Sequence, residues 1–432
     1  MTISSSLNAS VSGLASNASR LATISDNIAN SSTYGYKRAV ADFHSMVIDN
    51  GKGKYTAGGV GVTTQRLIDE RGPLAATSNA TDLAVRGRGM LPVTERSSVA
   101  VGSENDFPLR LATTGSFRTD AEGYLTTTNG LLLLGWPANP DGSLPSLPRD
   151  TIGGLEPIRV DTNQFISDPT TNVELAVNLP ATATEAGAAG DTEELLVEYI
   201  DNLGISETLT VSFTPNVPAT GASNEWTMFV EDSASDTIVG EYTVEFDDAA
   251  GLGGRLLSVN NTTGGAYTDD GTVSVTTASG TIEIDIGKIG QSGGLTQLSD
   301  NFAPVSITKN GSPVGNMTSV EVDANGFVRA LFDNGVSRII YQVPLVDVSN
   351  PNGLISEDYQ SYSVTPESGQ FFLWDAGDGP TGDIVSFARE ESATDVAGEL
   401  TNLIKTQRAY SSNAKVIQTV DEMLQETTNI KR

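Results

Sequence analysis

The stretch SGLASNASRLATISDNIANSSTYGYK, Ser12 to Lys37, decides how the chain is organised. Extended back to Leu7, its apolar residues Leu7, Val11, Leu14, Ala18, Leu21 and Ile28 recur at intervals of 4, 3, 4, 3 and 7, with Ile24 beside the one gap at Ser25. That is the heptad spacing of a long helix with a narrow apolar stripe. The opposite face is unusual: a water-facing helix normally carries Lys, Glu and Arg there, whereas positions 1–30 offer only Arg20 and Asp26 among many Ser, Asn, Ala and Thr. Ser and Asn are poor helix formers in water and suit close contact with neighbouring backbone. The polar face is therefore expected to be an interface as well.

The far end of the chain has the same spacing. From Val396, the residues Val396, Leu400, Leu403, Gln407, Tyr410, Ala414, Ile417, Asp421 and Leu424 alternate at 4 and 3, and most of the register is apolar. Ser392 and Asp395 stand ahead of it as a capping-box-like S-x-x-D. The two seams are predicted to pair as a coiled coil, residues 1–36 with 392–432. Burial along one narrow stripe barely offsets the entropy of ordering the helices. The pair is therefore expected to order fully only when further copies cover the remaining faces.

Composition bounds the function. The 432 residues suffice for several domains, carry a net charge of −29, and include no Cys and one His. Without Cys there are no disulfides and no thiolate metal sites, as suits an extracellular protein that passes unfolded through a narrow conduit. The first basic residue is Arg20 and no secretory h-region precedes it, so no cleaved leader is expected. No run of about 20 apolar residues occurs, so no helical membrane insertion is expected. Residues 160–310 hold 23 acidic and 3 basic side chains, whereas residues 1–110 hold 9 and 11. The middle reads as a solvated acidic surface, and nucleic acid is excluded as a ligand for want of a basic face.

Between the ends the signals turn to strand. NGKGKYTAGGVGVT, Asn50 to Thr63, reads as part of an irregular Gly-rich connection over 37–72. DAEGYLTTTNGLL (Asp120 to Leu132) and DANGFVRALFDNGV (Asp323 to Val336) form a diverged repeat, each copy two tight turns joined by a strand. The copies flank the acidic middle, so one β domain, 73–162 with 300–391, is predicted to be built from both flanks. The middle, 163–299, alternates with period 2 in ETLTVSFTP, EYTVEFDD and TVSVTTASGTIEIDIG, and is predicted to be an inserted, outermost antiparallel β domain. The predicted fold class is thus multidomain, α plus all-β, nested like brackets.

Chemistry finds little support. One His, no Cys and no G-x-S-x-G exclude the usual nucleophilic triads, and GKGK and GGVGV do not fit a phosphate loop. DAGDGPTGD, with Asp375, Asp378 and Asp383, is a weak calcium candidate that misses the EF-hand spacing and reads better as an Asp/Gly turn. No cofactor, metal or catalytic site is expected.

With both ends in view, the chain resembles the rod and hook family of bacterial flagellar axial proteins. The N-terminal likeness rests on Asn27, Ile28, Ala29, Asn30, Thr33, Gly35 and Lys37. The C-terminal likeness rests on Gln407, Arg408, Tyr410, Asn413, Ala414 and Lys415, and TDLAV and GSFRTDAEGYL add internal motifs. The chain departs from the family pattern at Asp26, usually Asn, and at Tyr36, usually Phe. It departs again at Phe387, Arg389, Ala393 and Thr394 within SFAREESATDVAGEL. Length and the inserted middle match the hook branch; the short distal rod proteins are the alternative, and an extracellular β-rich enzyme or adhesin is the alternative of another class. The resemblance implies a self-assembling, curved, tubular polymer outside the cell that transmits torque around an export channel. As partners it implies copies of the chain itself, the distal rod protein, the hook-filament junction protein and the hook cap. It also implies the flagellar type III export apparatus and the hook-length control protein.

Overall fold

In a computed structural model, the protein is described over residues 3–47, 57–99, 107–140, 142–161 and 164–430. Helices run over Ile3–Ala29 and Val396–Ile430, and between them the chain is almost entirely strands and turns. It divides into two compact units: residues 1–162, 319–330 and 337–432, and residues 163–318 with 331–336.

The first unit holds both helices and a β body. Asp395 caps the C-terminal helix, its carboxylate accepting from the Ala397 N–H at 3.1 Å, so the N-cap lies at the Asp of the expected box and not at Ser392. The helices run side by side in opposite directions: Asn27 meets Glu399, and Gly13 meets Asn413 closely enough that a Cβ on Gly13 would lie 2.8 Å from the Asn413 amide nitrogen. The connection expected to be irregular instead contains an antiparallel ribbon, Ala39–Ser45 with Val60–Arg66, registered from Ala39 opposite Arg66 to Ser45 opposite Val60. Part of that Gly-rich stretch, 48–56, lies outside the described residues. The ribbon forms because β-branched and aromatic residues (Val40, Phe43, Val60, Val62, Thr63, Thr64) flank the glycines.

In the β body, Leu131–Pro137 is buried on both faces, as its unbroken apolar run dictates. It pairs with Leu91–Glu95, Glu156–Pro157 and Ser337–Gln342. Met90, Leu111, Leu134, Trp136, Tyr362 and Leu373 fill the core. The two repeat copies are built alike. Asp120 Oδ1 accepts from the N–H groups of Glu122 and Tyr124, as Asp323 Oδ1 does from Asn325 and Phe327. Gly123 (φ 92°) and Gly326 (φ 81°) take the left-handed conformation, and a Cβ on either would strike the carbonyl of Val160 or Val343.

The second unit is a sandwich. A five-stranded meander, Glu193–Ile200, Ser206–Pro215, Glu225–Asp232, Thr237–Phe246 and Leu256–Thr263, packs on a second sheet centred on Asn172–Leu179. Trp226, Tyr199 and Tyr242 are fully buried between them. Two details differ from expectation. Asn172–Leu179 pairs in parallel with Gly280–Asp285 and Thr296–Gln297, so the sheet is not purely antiparallel. The unit also extends to 318 rather than ending at 299, because Ala303–Lys309 pairs with Asn172–Leu179, and Ser312–Asn316 with Phe165–Asp168.

Candidate interaction surface at the chain termini

The helix pair does not meet through its apolar stripes. On the N-terminal helix the buried positions are Ser5, Ser10, Gly13, Ser16, Asn17, Ile24 and Asn27; Leu7, Leu14, Leu21 and Ile28 are half-buried, and Val11 is 51% exposed. Small residues permit this. Ser12 Oγ accepts from the Val60 N–H at 3.1 Å, Ser16 Oγ donates to the Val60 carbonyl at 3.3 Å, and Asn17 Nδ2 donates to the Gly13 carbonyl at 2.7 Å. The polar face therefore lies on the ribbon and the C-terminal helix of the same chain, and the apolar stripe is left only half covered, with Val11 toward solvent.

The C-terminal helix behaves likewise. It buries Glu399, Thr406 and Val420 and half-buries Leu403, Asn413, Ala414 and Ile417, while Val396, Leu400 (47%), Ile404, Tyr410, Val416, Met423 and Leu424 are exposed. Gln407, Arg408 and Lys415 also face solvent, so most of the C-terminal motif has no contact with the rest of the chain's core.

The N-terminal motif builds a junction. Asn27, 1% exposed, uses every hydrogen-bonding position it has. Its amide nitrogen donates to the Ala39 carbonyl at 2.8 Å and to Glu399 Oε1 at 3.1 Å. Its oxygen accepts from the Ala39 N–H at 2.8 Å and the Tyr36 hydroxyl at 3.0 Å. The Tyr36 hydroxyl also lies 2.9 Å from Asp26 Oδ2, and Arg66 stands 3.6 Å from Asp26 and 5.0 Å from the Tyr36 ring centroid. The two departures from the family pattern, Asp26 and Tyr36, are thus partners: a Phe would offer the Asp26 carboxylate nothing. Burial, and then the bond to Asp26, pushes the Tyr36 phenol up to about 12. Asn30 donates to the Asp26 carboxylate and accepts from Thr33; Gly35 (φ 72°) turns the chain where a Cβ would lie 3.0 Å from Thr114 Cγ2; Ala29 is exposed.

Below the junction lies a buried ion pair. Lys37 Nζ, fully buried, donates to Glu390 Oε1 at 2.6 Å and the Glu70 carbonyl at 2.7 Å, and the Gly72 N–H donates to the same Glu390 oxygen. Desolvation lowers Lys37 to about 8, opposed by the Glu390 charge. Glu390 and Glu399 lie within SFAREESATDVAGEL, but 353 residues separate Lys37 from Glu390, and only the fold brings them together. Nearby, Phe387 holds φ 53° while remaining exposed, and Arg389 stacks 3.9 Å from the Tyr34 ring centroid.

The calcium candidate resolves into ion pairs. Asp375 accepts from Arg149 at 2.6 Å, Asp383 pairs with Arg86, and Asp378 sits in a turn closed by its N–H to the Asp375 carbonyl. Among the described residues no group of His, Cys, Asp or Glu converges as a metal site, and no helix is long and apolar enough to cross a membrane.

Comparison with known proteins places the same segments. Residues 7–37 match the family described as flagella basal body rod protein, and residues 387–430 match the flagellar basal body rod FlgEFG protein C-terminal family. The flagellar hook protein FlgE of Brucella suis biovar 1 is 33% identical over 426 residues, covering 98% of each chain. That of Rhizobium meliloti is 31% identical over 443 residues, covering 100% of each. The crystal structure of a Helicobacter pylori flagellar hook protein aligns with a TM-score of 0.45 and 13% identity over 74% of this chain and 99% of that one.

Proposed function

This chain belongs to the flagellar hook protein family, and from that premise we propose that it is a structural subunit polymerising into the hook, an extracellular tube between rod and filament. The observation that carries the reading is the pair of incompletely covered apolar stripes on the terminal helices, exposed Val11 with half-buried Leu7, Leu14 and Leu21 on one, and exposed Val396, Leu400 and Ile404 on the other. Apolar residues at helical spacing facing water mark a surface that another protein covers. Copies of the same chain supply that cover most simply, each offering both stripes. In this reading the seam residues are contacts between subunits as well as within one. The helices form an inner wall around the export channel, with β structure outside it. Contacts between outer units slide as the curved tube turns and passes torque from rod to filament.

The same premise brings the expected partners: the distal rod protein below, the hook-filament junction protein above, and the cap under which subunits add. The type III export apparatus, with its length-control protein, delivers the unfolded chain. A chain without Cys makes no disulfide on the way.

The test is assembly. Purified chain, concentrated and examined by electron microscopy, is expected to form tubes with a central channel. Monomers or amorphous aggregate at every concentration and salt would remove the reading.

A further inference from the structure

The inserted unit carries 23 acidic and 3 basic residues over 163–318 and 331–336, so like-charged copies repel wherever their acids face one another. Two stretches of the unit, 249–268 and 301–318, hold no acid at all over 20 and 18 residues. Each contains an exposed edge strand. Leu256–Thr263 ends the five-stranded meander, with Leu257 45% exposed and Asn260, Asn261, Thr262 and Thr263 toward water. Among the described residues Ala303–Lys309 pairs only with Asn172–Leu179, is exposed at every residue, and presents Val305 at 71%.

The two edges lie on opposite flanks of the sandwich. Ala303–Lys309 runs beside the first strand of the meander, where Lys309 Nζ reaches Glu198 at 2.8 Å and the Thr170 N–H bonds the Ile200 carbonyl. Leu256–Thr263 lies at the other end of that meander, where the chain leaves it by a bond from the Gly265 N–H to the Ser274 carbonyl at 2.7 Å. An edge strand presents unpaired backbone groups and is a ready docking line. Here Pro304, the bulge at Val305 and Lys309 discourage continuous ladder pairing and leave side-chain contact as the mode.

We infer that the inserted units of successive copies dock flank to flank, the Ala303–Lys309 edge of one against the Leu256–Thr263 edge of the next. The occupant is a second copy of this chain, because these two edge strands carry no acid of their own and acids that reach them from neighbouring strands are engaged within the unit, Glu174 by Thr308, Glu198 by Lys309 and Glu245 by Ser258, so two such acidic units meet least repulsion here. Two different surfaces on opposite sides make a heterologous contact, which does not close as a two-fold dimer and, where its rotation does not close a ring, propagates as an open helical array. The inference rests on the polymeric reading above and adds to it the surface that joins the inserted units.

The parent chain has no Cys, so introduced thiols report alone. Tubes of the double variant Val305→Cys/Leu257→Cys, treated with a short bismaleimide, are expected to give a ladder of dimers, trimers and higher species on denaturing gels. Tubes mixed from the two single variants are expected to stop at dimers, and either single variant alone should give none. A second pair guards against an assembly defect: Val305→Glu is expected to raise the concentration needed for tube formation, and Asn260→Lys in the same chain to bring it back. Tubes that give no ladder, a single variant that links to itself, or Val305→Glu tubes indistinguishable from the parent would each overturn the flank-to-flank contact while leaving polymerisation standing. A parent chain that forms no tubes overturns the polymeric reading and this contact with it.

Discussion

The inserted unit and the terminal helices treat their apolar residues in opposite ways. In Asn172–Leu179 the alternation is obeyed: Val173, Leu175, Val177 and Leu179 point into the core and their neighbours outward. In the helices, Ser16, Asn17, Asn27 and Thr406 are buried while Val11, Leu400 and Ile404 meet water. The first region satisfies itself within one chain. The second uses its hydrogen-bonding face to hold the chain together and keeps its apolar face for something else. A period of 3.5 or 2 says which element forms, but it does not say whether the apolar side is covered by the same molecule.

The largest effect should come from spoiling the uncovered face. Leu400→Asp puts a carboxylate where a dry contact between copies is expected, at a cost of several kcal/mol per subunit repeated through the lattice. Sedimentable tubes should disappear, while the denaturation of the β structure, followed by the fluorescence of Trp136, Trp226 and Trp374, stays unchanged. Normal tubes would place Leu400 in water in the polymer too and erase the contrast between the regions.

Next comes the ion pair that ties the flanks together. Lys37→Met leaves the Glu390 carboxylate buried without its ammonium and should destabilise the first unit by about 3–5 kcal/mol, whereas Lys37→Met with Glu390→Leu should recover most of that loss. Chemical denaturation measures both. A double variant no better than the single would mean that Glu390 matters through Gly72 and the turn it holds.

The smallest expected effect is at Tyr36. Tyr36→Phe removes one hydroxyl from Asn27 and Asp26 and should cost about 1 kcal/mol near neutral pH. Its pH dependence is more telling. The phenol is held at about 12 against 10.0, so the folded state favours the protonated form; this contribution is complete below pH 10 and is lost as pH rises through 12. The parent should therefore lose stability over that window relative to Tyr36→Phe. Parallel curves would show that the hydroxyl is not engaged.

Much of this was legible in the residues. The helix spans follow from the 4 and 3 spacing, and the Asp-Ala-x-Gly repeat announces turns that Gly123 and Gly326 close identically. The buried face of the helices was not legible, because Gly13, Ser16 and Asn17 bury by close approach and hydrogen bonding, and apolar periodicity is blind to both. The ribbon was hidden by glycines that suggest irregular chain. The Lys37–Glu390 and Asn27–Glu399 contacts join residues hundreds of positions apart, where no local pattern reaches. The end of the inserted unit was misplaced because Ala303–Lys309 is exposed on every side and shows no alternation to count.

Amide hydrogen exchange on dilute chain and on assembled tubes tests the central claim, that one region completes itself and the other is completed by copies. The account predicts strong protection of the inserted unit's core strands, Val173 to Leu179 and Trp226 to Val230, in both states. It predicts rapid exchange of residues 5–28 and 398–424 in the dilute chain, with protection appearing only in tubes. Equal protection of the terminal helices in dilute chain and in tubes would contradict it, since the helices would then be stable with their apolar stripes in water.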